Sequence, residues 1–471
     1  MARTTIRSED ITAGQVKAAD LASDAVTAFD DSGLQGDIAL LGFKVASNGS
    51  LSKYDLIDQT IDDFQDAAGI DASASSGELR DSSGKYFSGS AITPAATTAF
   101  TTVESTTWTA PAGATSADYL VVAGGGGSGG GVQHNYAGGG GGGGGTRHGN
   151  LSVTGSSSYT VTVGGGGIAG TTPSTAGGQG GASVFSSITS TGGGGGGTST
   201  GGGLNGGSGG GNGGGAGGGA GAGNTPSTSP SQGTGGGTGH SYNAGAGGGG
   251  GDTGSTGGNA SASNGGNGGA GYNGSGTSWI GSSYGVSGWF AGGGGGGYRN
   301  YHGSVSGTGG QGGGGAGAAG GTTGTANTGG GAGGHSMTSN QTDNGAIGGT
   351  GIVLIHTDAF TIYNDMTLVS TATTAEAVPT KGDLVMTYTN GAGTATVNTD
   401  IKGWASRDNG TTYTQFTLTD EGDTGGHTIL TAHDLDISAQ PSGSAMRYKV
   451  TTHNQSAAKE TRIQAVSLGW S

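Results

Sequence analysis

Few side chains in this sequence are placed to do chemistry, and the clearest acid and histidine cluster lies near its carboxyl end. His427 and His433 are followed by Asp434 and Asp436. The stretch alternates like a strand and shows no i, i+4 pair of metal ligands, which argues against a metal or hydrolase site there. No serine stands in a nucleophile-elbow context. The sequence therefore predicts a protein that is not an enzyme, with no catalytic residue, no bound metal and no cofactor.

The glycine runs of the chain do not form a phosphate-binding loop. Such a loop needs Gly-Lys-Ser/Thr at the start of a helix, and no lysine occurs between Lys85 and Lys381. The chain has 31 acidic and 16 basic residues and no basic stretch that would neutralise phosphates, so nucleic acid is not an expected partner. The longest apolar runs, DYLVVA and GIVLIH, are far shorter than the roughly 20 residues of a membrane span. We expect a soluble product of the cytoplasm with no membrane insertion.

The remaining candidates for a binding site are the aromatic and histidine side chains that interrupt the glycine-rich middle of the chain. Flat rings with polar edges suit contact with a sugar or a protein surface. Trp279 and Trp289 could equally staple the ends of a glycine bundle together. His240 and His335 are expected to be exposed among polar turns, with ligand contact or a shared metal as alternatives. The candidate binding residues are His134, Tyr136, Tyr242, Trp279, Tyr284, Trp289, Phe290, Tyr298, Tyr301 and His302.

The position of those side chains depends on how the glycine runs are ordered. Glycine supplies 119 of the 471 residues and loses more backbone entropy on folding than any other residue, so an ordered glycine region needs dense backbone hydrogen bonding. Polyglycine II helices, with three residues per turn, approach closely enough to exchange N–H and C=O bonds on all sides. Strand-like segments such as ADYLVVAG and GTGIVLIHT flank the runs. Residues 91–358 are predicted to form a β-sandwich with an inserted polyglycine II bundle, a flexible linker being the alternative.

The segments on either side of the glycine region have ordinary compositions. Residues 359–471 show about seven short alternating segments joined by turn signals such as DNG, which predicts an antiparallel β-sandwich. Residues 1–90 are predicted to be a region for attachment or oligomerisation. The fold class expected for the whole chain is mainly β, with a short helical attachment region at the amino end.

The best helix signal in the sequence lies near residues 53–67 of the amino-terminal region. Ser52 and Asp55 fit a capping box, apolar residues recur every three or four positions, and Gly69 marks the stop. The opposite face is acidic and is expected to be solvated, with a cation site as the alternative; it carries Asp55, Asp58, Asp62 and Asp66. The candidate oligomerisation residues are Val16, Leu21, Val26, Tyr54, Ile57, Ile61 and Phe64.

Three stretches of the sequence resemble bacteriophage fibre proteins. DIALLGFKVASNGSLSKYDLIDQTIDDFQDAAGIDASAS near the start and DIKGWASRDNGTTYTQFTLTDEG near the end resemble segments of tail-fibre or minor structural proteins of marine phages. WTAPAGATSADYLVVAGGGGSGGG resembles the glycine-rich domain of phage fibres and of anaplastic-lymphoma-kinase-type receptors, in which a β-sandwich carries polyglycine II helices. The chain has no cysteine, a departure from the receptor version that leaves the phage resemblance.

The resemblance implies a tail-fibre subunit of the virion, made in the host cytoplasm and released by lysis. It implies a homotrimer that contacts other tail or baseplate proteins through its amino-terminal region. Its receptor would be a host-surface glycan or outer-membrane protein, bound by the glycine-bundle loops or by the carboxyl-terminal sandwich. Two alternatives stay open: an extracellular or capsid-decorating filament with no receptor of its own, and an ice-binding protein. The irregular segments between the glycine runs disfavour the second, because an ice-binding face needs a flat, regular array.

Overall fold

The computed structural model describes residues 53–56, 58–81, 86–130, 137–171, 175–198, 201–215, 218–241, 244–299, 304–337 and 344–471. This part of the chain contains strands and no helix, which confirms the mainly β fold class. It contains no helix long and apolar enough to cross a membrane. The chain divides into two compact units: Met1–Thr93 with Thr361–Ser471, and Pro94–Phe360. Residues 58–81 and 361–471, which lie in the two regions predicted on either side of the glycine-rich middle, therefore belong to one unit.

The unit of residues 94–360 contains two four-stranded antiparallel sheets and a short ribbon. The strands are β6 (Ala96–Phe100), β7 (Ser105–Thr109), β8 (Ser116–Val122), β9 (Thr146–Ser152), β10 (Ser158–Thr162), β11 (Ser183–Phe185), β12 (Ile188–Ser190), β13 (Tyr272–Asn273), β14 (Trp289–Phe290) and β15 (Ile352–Thr357). One sheet has the order β6-β15-β8-β9 and the other β12-β11-β10-β7, while β13 pairs with β14. Trp108, Val121, Phe185 and Val353 are among the side chains that form the core of this sandwich.

The glycine runs between these strands are ordered, and their hydrogen bonds repeat every three residues. Every third N–H group from Gly139 to Gly145 donates to a carbonyl of segment 191–197, at 2.8 to 3.0 Å. The series that starts at Gly140 donates to segment 246–249, and the series that starts at Gly138 donates to segment 329–335. A period of three is that of the polyglycine II helix, since each turn then presents the same edge to the same neighbour.

The carbonyl groups of run 138–145 are used in the same way. They accept N–H groups from segment 123–129, from Gly211 and from segment 294–297. Together with the three donor series, this makes six neighbouring segments around one glycine helix. The main-chain groups of this helix are hydrogen-bonded to neighbouring segments. Since glycine has no side chain to bury, these backbone hydrogen bonds stabilise the bundle in place of an apolar core.

The second unit is a β-sandwich built from two antiparallel sheets. The eight-stranded sheet contains β1 (Lys53–Leu56), β2 (Gln59–Asp62), β3 (Leu79–Asp81), β4 (Tyr86–Ser88), β19 (Lys381–Ala392), β22 (Thr419–Thr424), β23 (His427–Asp436) and β25 (Glu460–Trp470). The five-stranded sheet contains β17 (Thr367–Val369), β18 (Thr373–Thr374), β20 (Ile401–Ser406), β21 (Thr414–Gln415) and β24 (Ala445–Thr452). Phe64, Met386, Tyr448 and Leu468 are among the buried side chains of its core. A separate pair joins β5 (Ser90–Thr93) to β16 (Phe360–Tyr363).

The order of the strands in the two sheets differs from their order in the chain. The eight-stranded sheet has the order β1-β2-β25-β19-β23-β22, with β4 on β25 and β3 on β4. The five-stranded sheet has the order β17-β24-β20-β21, with β18 on β24. The alternation in the carboxyl-terminal sequence therefore indicated strands correctly.

The helix predicted near residues 53–67 is wrong. This segment forms the hairpin of β1 and β2, with Asp58 in the left-handed region between them at a φ of 61°. β2 pairs along its length with β25, from Gln59 opposite Gly469 to Asp62 opposite Val466. A partner strand some 400 residues away takes the backbone hydrogen bonds that a helix would have made internally, and no local pattern reports such a partner.

The solvated acidic face predicted for that helix is also wrong at Asp62. Its side chain is buried, and its carboxylate accepts the Phe64 N–H at 2.9 Å and the Tyr448 hydroxyl at 3.1 Å. Complete burial raises the pKa of Tyr448 well above its usual value, and the negative charge of Asp62 is the second largest cause of the increase. The phenol therefore stays protonated and acts as the hydrogen-bond donor. Asp62 thus anchors the added hairpin to the second sheet instead of facing water.

The predicted oligomerisation residues fall into three groups. Ile61 packs with Val385 and Ala465, and Phe64 lies edge-on to Phe87 with ring centroids 4.9 Å apart, so both side chains belong to the interior of the unit. Tyr54 lies in β1. Val16, Leu21, Val26 and Ile57 lie outside the described residues.

Candidate binding cleft

The sheet that carries the candidate site, β6-β15-β8-β9, is covered on both faces. Ala117, Tyr119 and Val121 of β8 face the sandwich core, whereas Leu120 and Val122 belong to an apolar cluster on the other face. Burial on both faces explains why DYLVVA lacks the alternation of a half-exposed strand. The second face, opposite the sandwich core, holds the candidate site.

Cross-strand register places a row of polar residues at one end of this second face. Thr97, His356, Asp118 and Asn150 stand opposite one another on the four successive strands. His356 Nδ1 lies 2.8 Å from the Thr97 hydroxyl, and Asn150 donates to Asp118 Oδ1 at 2.8 Å. The next row along the strands is Ala99, Leu354, Leu120 and His148. A polar edge therefore borders an apolar floor.

Residues 272–290 form a loop over this floor, closed at its base by the β13–β14 ribbon. Tyr272, Ile280 and Phe290 pack against Leu120, Val122, Ile352 and Leu354 of the sheet. Phe290 has no exposed surface and Ile280 is 2% exposed. These anchors hold the loop against a rigid sheet, which is what a preorganised binding surface requires.

Between this loop and the polar edge lies an open cleft of about 220 Å³, here called the loop cleft. Two ring pairs border it: His148 stacks on Tyr272 with centroids 4.8 Å apart, and Trp279 stacks on His356 at 5.3 Å with the planes 4° apart. His356 is not among the lining residues, so it supports Trp279 from outside the cleft. The lining residues are Asp118, Tyr119, His148, Gly149, Tyr272, Thr277, Trp279 and Ile280.

The charges at the loop cleft are negative or titratable. The Asp118 carboxylate lies at the rim, and His148 Nε2 is 3.0 Å from Asp252 Oδ2, which is 7% exposed. Burial raises the pKa of Tyr272, against the opposing effect of a hydrogen bond with Thr277, so the phenol is neutral at physiological pH. Arg147 stands opposite Val121, a residue of the other face, and the lining residues of the cleft include no lysine or arginine. The cleft can therefore accept hydroxyl hydrogen bonds and offers aromatic surface.

The structure brings together only part of the predicted binding residues. Trp279 is half-buried and lines the loop cleft, Tyr284 packs against the cluster beneath it, and the half-buried Trp289 lies in the β13–β14 ribbon with the buried Phe290. Tyr298 lies elsewhere, bridged to Ala244, and its N–H donates to Ser336. His134, Tyr136, Tyr242, Tyr301 and His302 lie outside the described residues.

His335 corrects one expectation about the histidines. It is buried, not exposed, and its Nδ1 accepts the Gly320 N–H at 3.0 Å. Within the described ranges, no three His, Cys, Asp or Glu side chains are grouped to hold a metal ion. The carboxyl-terminal residues His427 and Asp436 are the ends of β23, the strand expected there.

Sequence reasoning missed four residues at or beside the loop cleft: Asp118, His148, Tyr272 and His356. Asp118 was visible as the one charged residue in the apolar run ADYLVVA. An isolated charged residue in a buried strand indicates a possible site, because a charged side chain must either pair with another group or reach solvent. His148 and His356 gave no such signal, since only the pairing of β8 with both β9 and β15 brings them near Asp118. Tyr272 reaches the cleft through the packing of its loop on the sheet, which no local pattern indicates.

A small β-sandwich joined to a bundle of glycine helices that hydrogen-bond side by side defines a class of glycine-rich proteins. The comparison with known families places the chain in the same class. Residues 101–358, more than half of the chain, match the model of the glycine-rich domain family. The chain belongs to that family. No curated protein matches it.

Proposed function

We propose that this protein is a structural and adhesive subunit of a bacteriophage tail fibre. Its amino-terminal region attaches it to the virion, and the loops of the glycine bundle bind a receptor on the host surface. The subunit assembles as a homotrimer beside other tail or baseplate proteins, is made in the host cytoplasm and is released by lysis. The resemblance of its two ends to phage structural proteins supports the attachment to a virion.

One observation carries the adhesive part of this proposal: an aromatic loop is held rigidly beside an open cleft. Phe290 and Ile280 are buried and fix the loop to the sheet, while Trp279 stays half-buried at the cleft. A bundle that served only as a spacer would need the buried anchors but no half-exposed tryptophan beside a cleft. Rigid aromatic side chains are also the residues that most often dominate binding energy at interfaces.

Competition for host cells tests this function. Purified full chain, incubated with host cells before the phage is added, is expected to reduce the rate of adsorption at least tenfold, because it occupies the receptors. Trp279→Ala is expected to lose most of this competition, since truncating an aromatic anchor typically costs about 2 kcal/mol or more in binding.

A matched control is Val305→Ala, which shortens a side chain that is 60% exposed elsewhere in the same unit. It should compete like the unchanged protein. If the unchanged chain does not compete at any concentration, the adhesive function is contradicted and the alternative of a filament without a receptor is favoured. Circular dichroism of each variant shows whether a loss reflects binding or misfolding.

A further inference from the structure

Resting on the proposed function, we infer that the loop cleft is a site for one neutral sugar ring, the terminal residue of a surface glycan. The first argument is size. A cleft of about 220 Å³ lies below the roughly 300–1,000 Å³ of pockets for drug-sized ligands. It holds a single small ring, with the rest of a glycan chain leaving through the open side.

The second argument is the division of the cleft into an aromatic wall and a polar edge. Tyr272, Trp279 and Ile280 provide an apolar wall, and Asp118 with Thr277 provides the polar edge. A pyranose ring has the matching character, because its C–H groups form an apolar face and its hydroxyls project from the rim. The Asp118 carboxylate is an acceptor for those hydroxyls, and a bond to an ionised acceptor is stronger than one between neutral groups.

The third argument is charge, which selects neutral sugars over acidic ones. Asp118 lies at the cleft and Asp252 directly behind His148, whereas Arg147 and Arg299 are the only arginines between Lys85 and Lys381, a stretch with no lysine. Arg147 occupies the register of a residue on the opposite face. A uronic or sialic acid would place its carboxylate near Asp118, and no lysine or arginine is among the lining residues to offset the repulsion.

The fourth argument disfavours a quaternary amine, the other ligand that an acid and aromatic rings can attract. Cages for such cations surround them with several free ring faces. Here the two aromatic rings of the apolar wall each have one face covered by a histidine, Tyr272 by His148 and Trp279 by His356. The arrangement offers a wall and not a cage.

Binding of the full chain to a panel of monosaccharides tests the inference. The neutral probes are methyl glycosides of glucose, galactose and mannose, and N-acetylglucosamine; glucuronate, N-acetylneuraminate and choline are the comparison probes. Calorimetry and saturation-transfer NMR are expected to show at least one neutral sugar bound. Asp118→Asn is expected to weaken that binding tenfold or more, because its amide is a poorer acceptor for hydroxyls. Glu104→Gln is the matched control, since Glu104 is exposed in the same unit and does not line the cleft, and it should bind unchanged.

Binding of no neutral sugar, binding of choline or an acidic sugar alone, or equal binding by Asp118→Asn would overturn the inference. Phage particles that carry the Asp118→Asn fibre distinguish a failure of the sugar-site inference from a failure of the proposed adhesive function. If the purified variant loses the sugar but the particles adsorb normally, the sugar site stands and adhesion through this loop fails. If no neutral sugar binds while the purified chain still blocks adsorption, the sugar site fails and the adhesive function stands.

Discussion

Gly141→Ala is expected to lower the free energy of unfolding of the glycine-rich unit by about 3 kcal/mol or more, at the upper end of the usual cost of overpacking. Gly141 lies in the helix with six neighbouring segments, and its N–H donates to Ala332 while its carbonyl accepts from Gly294. A methyl group there would overlap the backbone carbonyl of Gly126, closer than real Cβ contacts allow. Because the obstacle is backbone in a rigid bundle, relief requires moving a whole helix.

Gly219→Ala is the matched control for this substitution. A Cβ at Gly219 meets no atom within 4 Å, although the Gly219 carbonyl still accepts the Gly203 N–H. Neither position has a left-handed backbone, so alanine adopts the conformation of both. Gly219→Ala should be neutral or stabilise by about 0.4–1 kcal/mol, through the lower entropy of the unfolded chain. Calorimetric unfolding measures both variants, and equal effects would mean that the glycine helices are not packed side by side.

Arg407→Met is expected to destabilise the sandwich of the other unit by about 3–5 kcal/mol, because several buried acceptors lose one shared donor. The Arg407 side chain is buried, and its guanidinium donates to carbonyl oxygens and not to a carboxylate. It reaches Pro379 and Ser438 at 2.7 Å each and Pro441 at 3.2 Å, and it also donates to Gln440. These carbonyls belong to two separate loops, which the one side chain joins.

Lys402→Met is the control for the removed charge. Lys402 lies on β20, the strand that ends immediately before Arg407, and is half-exposed. Its substitution should change the free energy of unfolding by less than about 0.5 kcal/mol, as is usual for surface positions. Urea unfolding followed by tryptophan fluorescence compares the two variants. A loss at Arg407 no larger than that at Lys402 would show that the loops do not depend on the guanidinium.

The strands that flank the glycine region could be predicted from sequence because their signal is local. β8 and β15 coincide with ADYLVVAG and GTGIVLIHT, where β-branched and other large apolar residues are concentrated. The three-residue period of the bundle also follows from composition, since side-chain-free helices can only be stabilised by their backbones. Which run neighbours which could not be predicted, because glycine carries no side chain to specify a partner.

The failures of prediction have a common cause, which is pairing between segments far apart in the chain. The pattern at 53–67 fits a helix by itself, and only β25 as a neighbour makes it a hairpin. The loop cleft depends likewise on the register that sets His356 and Asn150 on either side of Asp118. Trp279 could be chosen as a candidate because large aromatic residues are rare in the glycine region. Its stacking partner His356 could not, because the sequence around His356 indicates only a strand.

Hydrogen exchange at the amides of Gly138–Gly145 tests the central claim, that the glycine region is a backbone-bonded bundle, most directly. These N–H groups donate to three neighbouring segments. They are therefore expected to exchange about 10³-fold or more slowly than those of an unstructured glycine peptide, as amides that open only with the whole unit do. Exchange at the rate of the free peptide would contradict the bundle, and with it the rigid support on which the binding cleft depends.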